Sequence, residues 1–190
     1  MANIIGDNGD NTLPGTGDDD TISGLGGNDT ISGGDGNDTV DGGAGNDVMT
    51  GGAGVDLVSY ASATSGVFVN LNTTTAQNTL GGGTDTITGF EGVIGSDFND
   101  TLVATPAGSS LFGGLGDDSL VSIAGGNDIL DGGAGADSVS YLFTSSGITV
   151  NLNTVGAQNT GGGGVDTLIG IEHVIGTAFA DTITGDAHIN

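Results

Sequence analysis

A carboxylate or its amide stands at every ninth residue through the first third of the chain: Asn11, Asp20, Asp29, Asp38, Asp47 and Asp56. Asp100, Asp118, Asp128 and Asp137 continue the series, and Asp181 opens a last stretch. Asp favours turns on its own account, but turn preference does not impose a strict nine-residue period. Carboxylates brought together in pairs repel one another unless a cation lies between them. The chain has 24 acidic residues, no Lys and no Arg, for a formal charge of −24. Self-repulsion on that scale opposes any compact state, so the cation has to come from outside.

The elements that position these carboxylates follow from the same period. From Gly6 the chain reads GDNGDNTLP, GTGDDDTIS, GLGGNDTIS, GGDGNDTVD, GGAGNDVMT and GGAGVDLVS without a gap. The sixth position carries the carboxylate and the eighth an aliphatic or Met: Leu13, Ile22, Ile31, Val40, Met49 and Val58. A second array runs through Gly95, Ala104 and Gly113 and resumes at Ile123 and Gly132 after one inserted residue, Ser122. Its eighth positions are Leu102, Leu111, Leu120, Leu130 and Val139. The glycine-rich first six residues of a unit suit a turn. The last three, often β-branched, suit a short strand with one side chain pointing inward. Two units then make one coil, and units eighteen residues apart stack. The expected fold is all-β, a flattened parallel β-roll solenoid.

That stacking sets Asp20 near Asp38, Asp38 near Asp56, and Asp29 near Asp47. Turns built from small residues also leave carbonyl oxygens free to face the same space. Two carboxylates with several carbonyls form an all-oxygen shell, which suits Ca²⁺, whereas Mg²⁺ demands a tighter octahedron and keeps its waters. Zinc would need His or Cys at the right places, and there is no Cys.

Between the arrays lies a second kind of repeat. Tyr60–Ala104 aligns on Tyr141–Gly185 without gaps at an offset of 81 residues, sharing SG-x-x-VNLNT, AQNT, a glycine run and E-x-VIG. Val67, Val69 and Leu71, like Ile148, Val150 and Leu152, alternate as in a strand with one buried face. The offset is a whole number of nonapeptides, so these spacers are expected to be irregular turns of one continuous solenoid. Its parts are a first array over 6–59, a spacer over 60–94, a second array over 95–140, the spacer copy over 141–175, and a truncated third array over 176–190.

The units also resemble the RTX (hemolysin-type) calcium-binding nonapeptide family, G-G-x-G-x-D-x-U-x; GGDGNDTVD, GGAGNDVMT and GGAGVDLVS match it fully. The resemblance implies several Ca²⁺ ions, each bound between turns n and n+2. The earlier turn gives the carbonyls of positions two and four and its Asp; the later turn gives positions one and three and its Asp. Carried over, one site uses Thr16, Asp18 and Asp20 with Gly33, Asp35 and Asp38. Another uses Gly34, Gly36 and Asp38 with Gly51, Ala53 and Asp56. On the opposite edge Leu25, Gly27 and Asp29 face Gly42, Ala44 and Asp47. Asp100 pairs with Asp118 in the same pattern, the later turn giving Gly113 and Leu115. Three departures bear on other sites: Asn11 is a neutral partner for Asp29, Ser109 leaves Asp128 without an anionic partner on that edge, and Ser122 sets Asp118 and Asp137 nineteen apart, which requires a bulge.

Remaining residues have plainer readings. Asp85 and Asp166 follow glycine runs and are open between ligand and turn former. Glu91 and Glu172 either cap an irregular turn or complete a site. Tyr60 and Tyr141 are expected to cover an edge of the core, and His173 and His188 to lie at the surface. The NDT triplets at Asn28, Asn37 and Asn99 belong to the repeat and are not read as glycosylation acceptors.

Nucleic acid and anionic membrane surfaces attract basic patches, which this chain lacks. No apolar run is long enough to span a bilayer, and no basic-then-apolar leader opens the chain. No nucleophile elbow, zinc-protease or phosphate-loop motif is present, so no enzymatic activity is expected. The resemblance implies a calcium-binding structural module of a secreted or cell-surface bacterial protein, disordered without Ca²⁺ and folded by it after type I export. The signal for that export lies C-terminally in the family and is not expected here, so the chain reads as an excerpt whose partners include the flanking segments of its parent. The alternative is an adhesion or surface-layer module that binds a partner with its faces.

Overall fold

The structure, a computed structural model, describes residues 1–187. Its elements are all strands, most of them three to six residues long. The eighteen-residue stacking is seen directly in the register: Asn3 pairs with Thr21, Thr21 with Thr39, and Thr39 with Leu57, all parallel. Units between these, Thr12 with Thr30 and Thr30 with Val48, build the opposite face. One face is a nine-stranded sheet with a two-stranded sheet beyond its end, and the strands opposite fall into two five-stranded sheets.

The core is the row of eighth-position side chains between the faces. Ile22, Ile31, Val40, Met49, Val58, Leu102, Leu111, Leu120, Leu130 and Val139 are all fully buried. Each contributes about 1.5–3 kcal/mol of apolar burial. A single inward side chain per three-residue strand makes a thin core, which places the weight of the fold on its turns.

The spacers join the arrays by reversing the chain. In the first, Gln77–Asn78 runs antiparallel to Thr84–Thr88, and Val67 bridges Leu80 in the same sense. Thr84–Thr88 stacks parallel on Val48–Ala53, and Phe68–Asn70 stacks parallel on Thr101–Val103. One reversed strand therefore splices two parallel stacks. The copy repeats this with Ala157–Gly161 antiparallel to Gly164–Ile169, but on the other face: Gly164–Ile169 lies in the nine-stranded sheet, Thr84–Thr88 in a five-stranded one. The offset of 81 residues is an odd number of nonapeptides, and each nonapeptide crosses from one face to the other. Val67, Val69, Ile148 and Val150 are buried as their alternation requires.

The Ser122 insertion changes the step between stacked coils. That step lengthens from eighteen residues, Thr101 on Ser119, to nineteen, Ser119 on Ser138. Beside the wholly buried Ser122 the ladder also slips, Val121 pairing with Ser140 but Ile123 with Phe143, so the bulged residue there belongs to the partner strand.

Candidate metal centre

Parallel stacking leaves the main-chain N–H at position six of each turn facing the next coil, where an Asp side chain receives it. Asp20 N–H donates to Asp38 Oδ1 and Asp38 N–H to Asp56 Oδ1, each at 2.8 Å. Along the opposite edge Asn11 donates to Asp29 at 2.7 Å and Asp29 to Asp47 at 2.8 Å. The second array repeats the ladder from Asp100 to Asp118 and, across the nineteen-residue step, from Asp118 to Asp137, both at 2.8 Å. Sequence-predicted pairs are thus brought together in columns.

Each column Asp spends one oxygen on this ladder. The second oxygen, Oδ2, is buried and without any hydrogen-bond donor at Asp29, Asp38, Asp47, Asp56, Asp118, Asp128 and Asp137. Buried polar atoms are almost always paired, and a buried carboxylate oxygen facing nothing is costly. Space has been left around these atoms: a methyl group added to Gly33 would collide with both Asp38 Oδ2 and the Gly51 carbonyl oxygen. Carboxylate and carbonyl oxygens converge there, the donor set of a hard cation such as Ca²⁺. Among the described residues no three side chains of His, Cys, Asp and Glu gather around one point, so main-chain oxygens must complete the shell.

Burial pushes up the carboxyls of Asp38, Asp47, Asp56, Asp118, Asp128 and Asp137. Asp47 rises to about 6, with Asp85 and Asp29 adding to the effect of desolvation. Asp118 rises to about 7 and Asp128 to about 6 for the same leading reason. Asp38, Asp56 and Asp137 are raised as well, desolvation again first. A carboxyl raised in the folded state stabilises the fold while protonated, and that contribution disappears as pH climbs through its folded value. In chelator the chain should therefore hold more structure at pH 4 than at pH 8. With calcium the proton competes for the same oxygens, so the Ca²⁺ concentration needed for folding should climb as pH falls from 8 to 5. Circular dichroism titrations across that range check both signs; a midpoint that drops on acidification would contradict them.

Column openings are built differently. Asp20 Oδ2 accepts from the N–H and the hydroxyl of Thr16 in its own turn, at 2.7 and 2.8 Å. Ser96 gives its N–H to Asp100 Oδ2 and its hydroxyl to Oδ1, and Thr177 does so for Asp181. Asp7 N–H binds Asn11, and Thr105 N–H binds Ser109. The difference is one dihedral at position two. There the interior turns have positive φ, 113° at Gly34 and, unusually for a side-chain-bearing residue, 74° at Leu25. Positive φ turns the N–H away and leaves Oδ2 free. Thr16, Ser96 and Thr177 do not adopt it. Asp20, Asp100 and Asp181 are therefore held within their own turns as well as stacked.

Column ends are closed by the spacers. Asp47 N–H donates to Asp85 Oδ1 at 2.9 Å, so Asp85 takes the next place in the column. Its Oδ2, however, is held by the hydroxyls of Tyr60 and Thr79 at 2.9 and 2.8 Å. Asp166 is held the same way by Tyr141 and Thr160. Asp166 also accepts the N–H of Asp128 at 3.0 Å, so the anionic neighbour that Ser109 denies Asp128 arrives from the other side. Tyr60 and Tyr141 lie inside the core, not over its edge as expected from sequence. Replacing Tyr60 with Phe removes one of two donors from a buried carboxylate oxygen and should cost about 1–3 kcal/mol. At this chain length that lowers Tm by roughly 2–4 °C per kcal/mol. Thermal melts in saturating calcium read it; an unchanged Tm would mean that Thr79 suffices.

A second ladder escaped sequence reasoning. The position-five side chain accepts an N–H from the following coil: Asn28 from Asn46, Asn37 from Val55, and Asn99 from Asp117, at 2.8–3.0 Å. Its direction opposes that of the position-six ladder, and it explains the Asn of the NDT triplets. The signal was present in the sequence as the frequent Asn or Asp just before the sixth position. His173 is exposed, and His188 lies outside the described residues.

A sequence profile described as the RTX calcium-binding nonapeptide repeat (4 copies) matches residues 5–40, 23–58, 94–122, 124–140 and 169–188, well over half of the chain. The chain belongs to the RTX calcium-binding repeat family. It is a calcium-binding structural module with a parallel β-roll fold. Among solved structures, the extracellular lipase LipA from Serratia marcescens is 19% identical over 88% of this chain, with a TM-score of 0.26. That similarity is too loose to support an argument, and this RTX chain spans 38% of the length of that protein.

Proposed function

We propose that this RTX segment is a calcium-gated folding module of a larger exported protein, disordered where Ca²⁺ is scarce and folded where it is plentiful. The observation that carries this reading is the row of buried, donorless Oδ2 atoms in a chain without a single Lys or Arg. No internal rearrangement supplies a basic side chain to them, so the folded state and the bound ions form together. Family membership supports export and an extracellular or cell-surface location, where free calcium reaches the roughly 10⁻⁴–10⁻³ M range in which extracellular modules bind.

Within that reading the assignment of ligands is also ours. Asp29 with Asp47, Asp38 with Asp56, and Asp118 with Asp137 are paired places in which both carboxylates keep a free oxygen, joined by the carbonyls of Leu25, Gly27, Gly42 and Ala44 or their equivalents. Asn11, Asp20, Asp100 and Ser109 border sites of lower affinity, since their second acceptor is absent or already bonded. The two arrays and their spacers act as one solenoid, because strands of each spacer are hydrogen-bonded into the sheets on either side. Ion counting by calorimetric titration tests the module as a whole. Several Ca²⁺ per chain, with Mg²⁺ a poor substitute, is the expected result; one ion or none would overturn the reading.

A role in binding a partner rests on a separate feature. Phe68, Val103, Val121, Ile123 and Phe143 line one apolar groove on the outer side of a five-stranded sheet, and Phe143 is 67% exposed.

A further inference from the structure

The chain has only two glutamates, Glu91 and Glu172, against a long series of aspartates. Both stand where an Asp column ends. Asp56 N–H, which by the ladder should reach an Asp Oδ1 on the next coil, donates instead to Glu91 Oε2 at 2.9 Å. Asp137 N–H donates to Glu172 Oε2 at 2.8 Å. The reason for the longer side chain is visible in the register. Met49 stacks on Ile87 and Val58 on Val93, so nine residues along the first coil are matched by six along the next. Leu130 on Leu168 and Val139 on Val174 repeat the same shortening in the copy. A turn three residues shorter cannot bring a position-six Asp to the column; an extra methylene lets Glu reach it.

The shortened turn keeps a second feature of a regular site. A methyl group added to Gly51 would collide with the Gly89 carbonyl oxygen, just as one on Gly33 would meet the Gly51 carbonyl. The Gly170 carbonyl stands in the same relation to Gly132. Facing these groups are Asp56 Oδ2 and Asp137 Oδ2, both fully buried and without a donor.

We propose that Glu91 and Glu172 are metal ligands, each closing its column with one further Ca²⁺ site made by Asp56, Glu91 and the Gly89 carbonyl, and by Asp137, Glu172 and the Gly170 carbonyl. This rests on the calcium-module reading. With three residues missing from the turn, these terminal sites lose a carbonyl that an interior site has, and the Glu91 side chain is exposed. They are the weakest of their columns and fill last, so they set the calcium level at which each array becomes fully occupied.

The bland alternative is that Glu merely caps the Asp56 N–H. Glu91→Gln separates the two, because the Gln carbonyl still accepts that N–H while the anionic ligand is gone. Calorimetric titration should show one ion fewer for E91Q, one fewer for E172Q and two fewer for the double variant, with circular dichroism in saturating Ca²⁺ unchanged. Equal ion numbers and affinities in parent and variants would overturn the proposal and leave the cap. A parent chain that binds no calcium at all would instead refute the module reading. A second readout needs no substitution: ¹³C placed on the glutamate carboxyl carbon gives two signals, one per residue. Both should shift in a step at higher Ca²⁺ than the folding transition, and their failure to move beyond that transition would equally sink the idea.

Discussion

In excess chelator the chain is expected to lose its strand signal in circular dichroism and to recover it on addition of about 10⁻⁴–10⁻³ M Ca²⁺. The size of the effect follows from the absence of any intermediate arrangement of charge. Asp29, Asp38, Asp47 and Asp56 are each at most 1% exposed, and desolvation raises Asp38, Asp47 and Asp56 above the ordinary carboxylate range. At neutral pH they ionise when unfolded, so folding without a cation would bury several adjacent charges together. The thin core, one inward aliphatic per three-residue strand, is too small to offset that. Mg²⁺ at the same concentration should restore little, because it is reluctant to exchange its waters for a flexible shell of carbonyls. Full strand content in chelator at pH 7.5 would refute the coupling of calcium to folding.

The largest single-residue effect should come from Asp38→Ala. Asp38 lies in mid-column: its Oδ1 accepts from Asp20 N–H, its own N–H donates to Asp56, and its Oδ2 has no donor. Removing the side chain takes a carboxylate from the place shared with Asp20 and from the place shared with Asp56, and it leaves the Asp20 N–H without its acceptor. In a solenoid whose coils contact only their neighbours, a broken central interface uncouples the flanks, whereas a broken terminal one frays the end. Asp38→Ala should therefore raise the Ca²⁺ midpoint for folding several-fold, remove about two ions, and split the transition into two phases. Asp20→Ala should do much less, since Thr16 already occupies the second oxygen of Asp20. Asp56→Ala should also remove about two ions, from the places shared with Asp38 and Glu91, but its midpoint should fall between the other two, as its column continues only to Glu91. Midpoints and ion counts that coincide for the three variants, measured in one buffer, would show that ions are not shared between coils eighteen residues apart.

How much of this was legible beforehand depends on how local the cause is. The nine-residue period states the coil length, the eighth position states the core, and the sixth states which carboxylates stack. All of these follow from repetition, because a solenoid places each unit by its distance along the chain. The inserted Ser122 could be read as a nineteen-residue step for the same reason: an extra residue between fixed strands lengthens the coil that holds it.

The fate of the second carboxylate oxygen was not legible. It is decided by φ at position two, where Leu25 adopts the left-handed region and Thr16 does not, and by hydroxyls brought from elsewhere in the chain. Tyr60 reaches Asp85 across 25 residues, and Asp166 reaches Asp128 across 38. Those distances are no multiple of the coil, since a reversed strand intervenes, so the repeat carries no information about them. The sequence by itself determined a periodic scaffold with carboxylates in columns and a need for a cation. Only the tertiary structure decided which oxygens stay open to that cation and which are closed by a neighbouring N–H or hydroxyl, because that choice is made by hydrogen bonds across the splices and not by spacing.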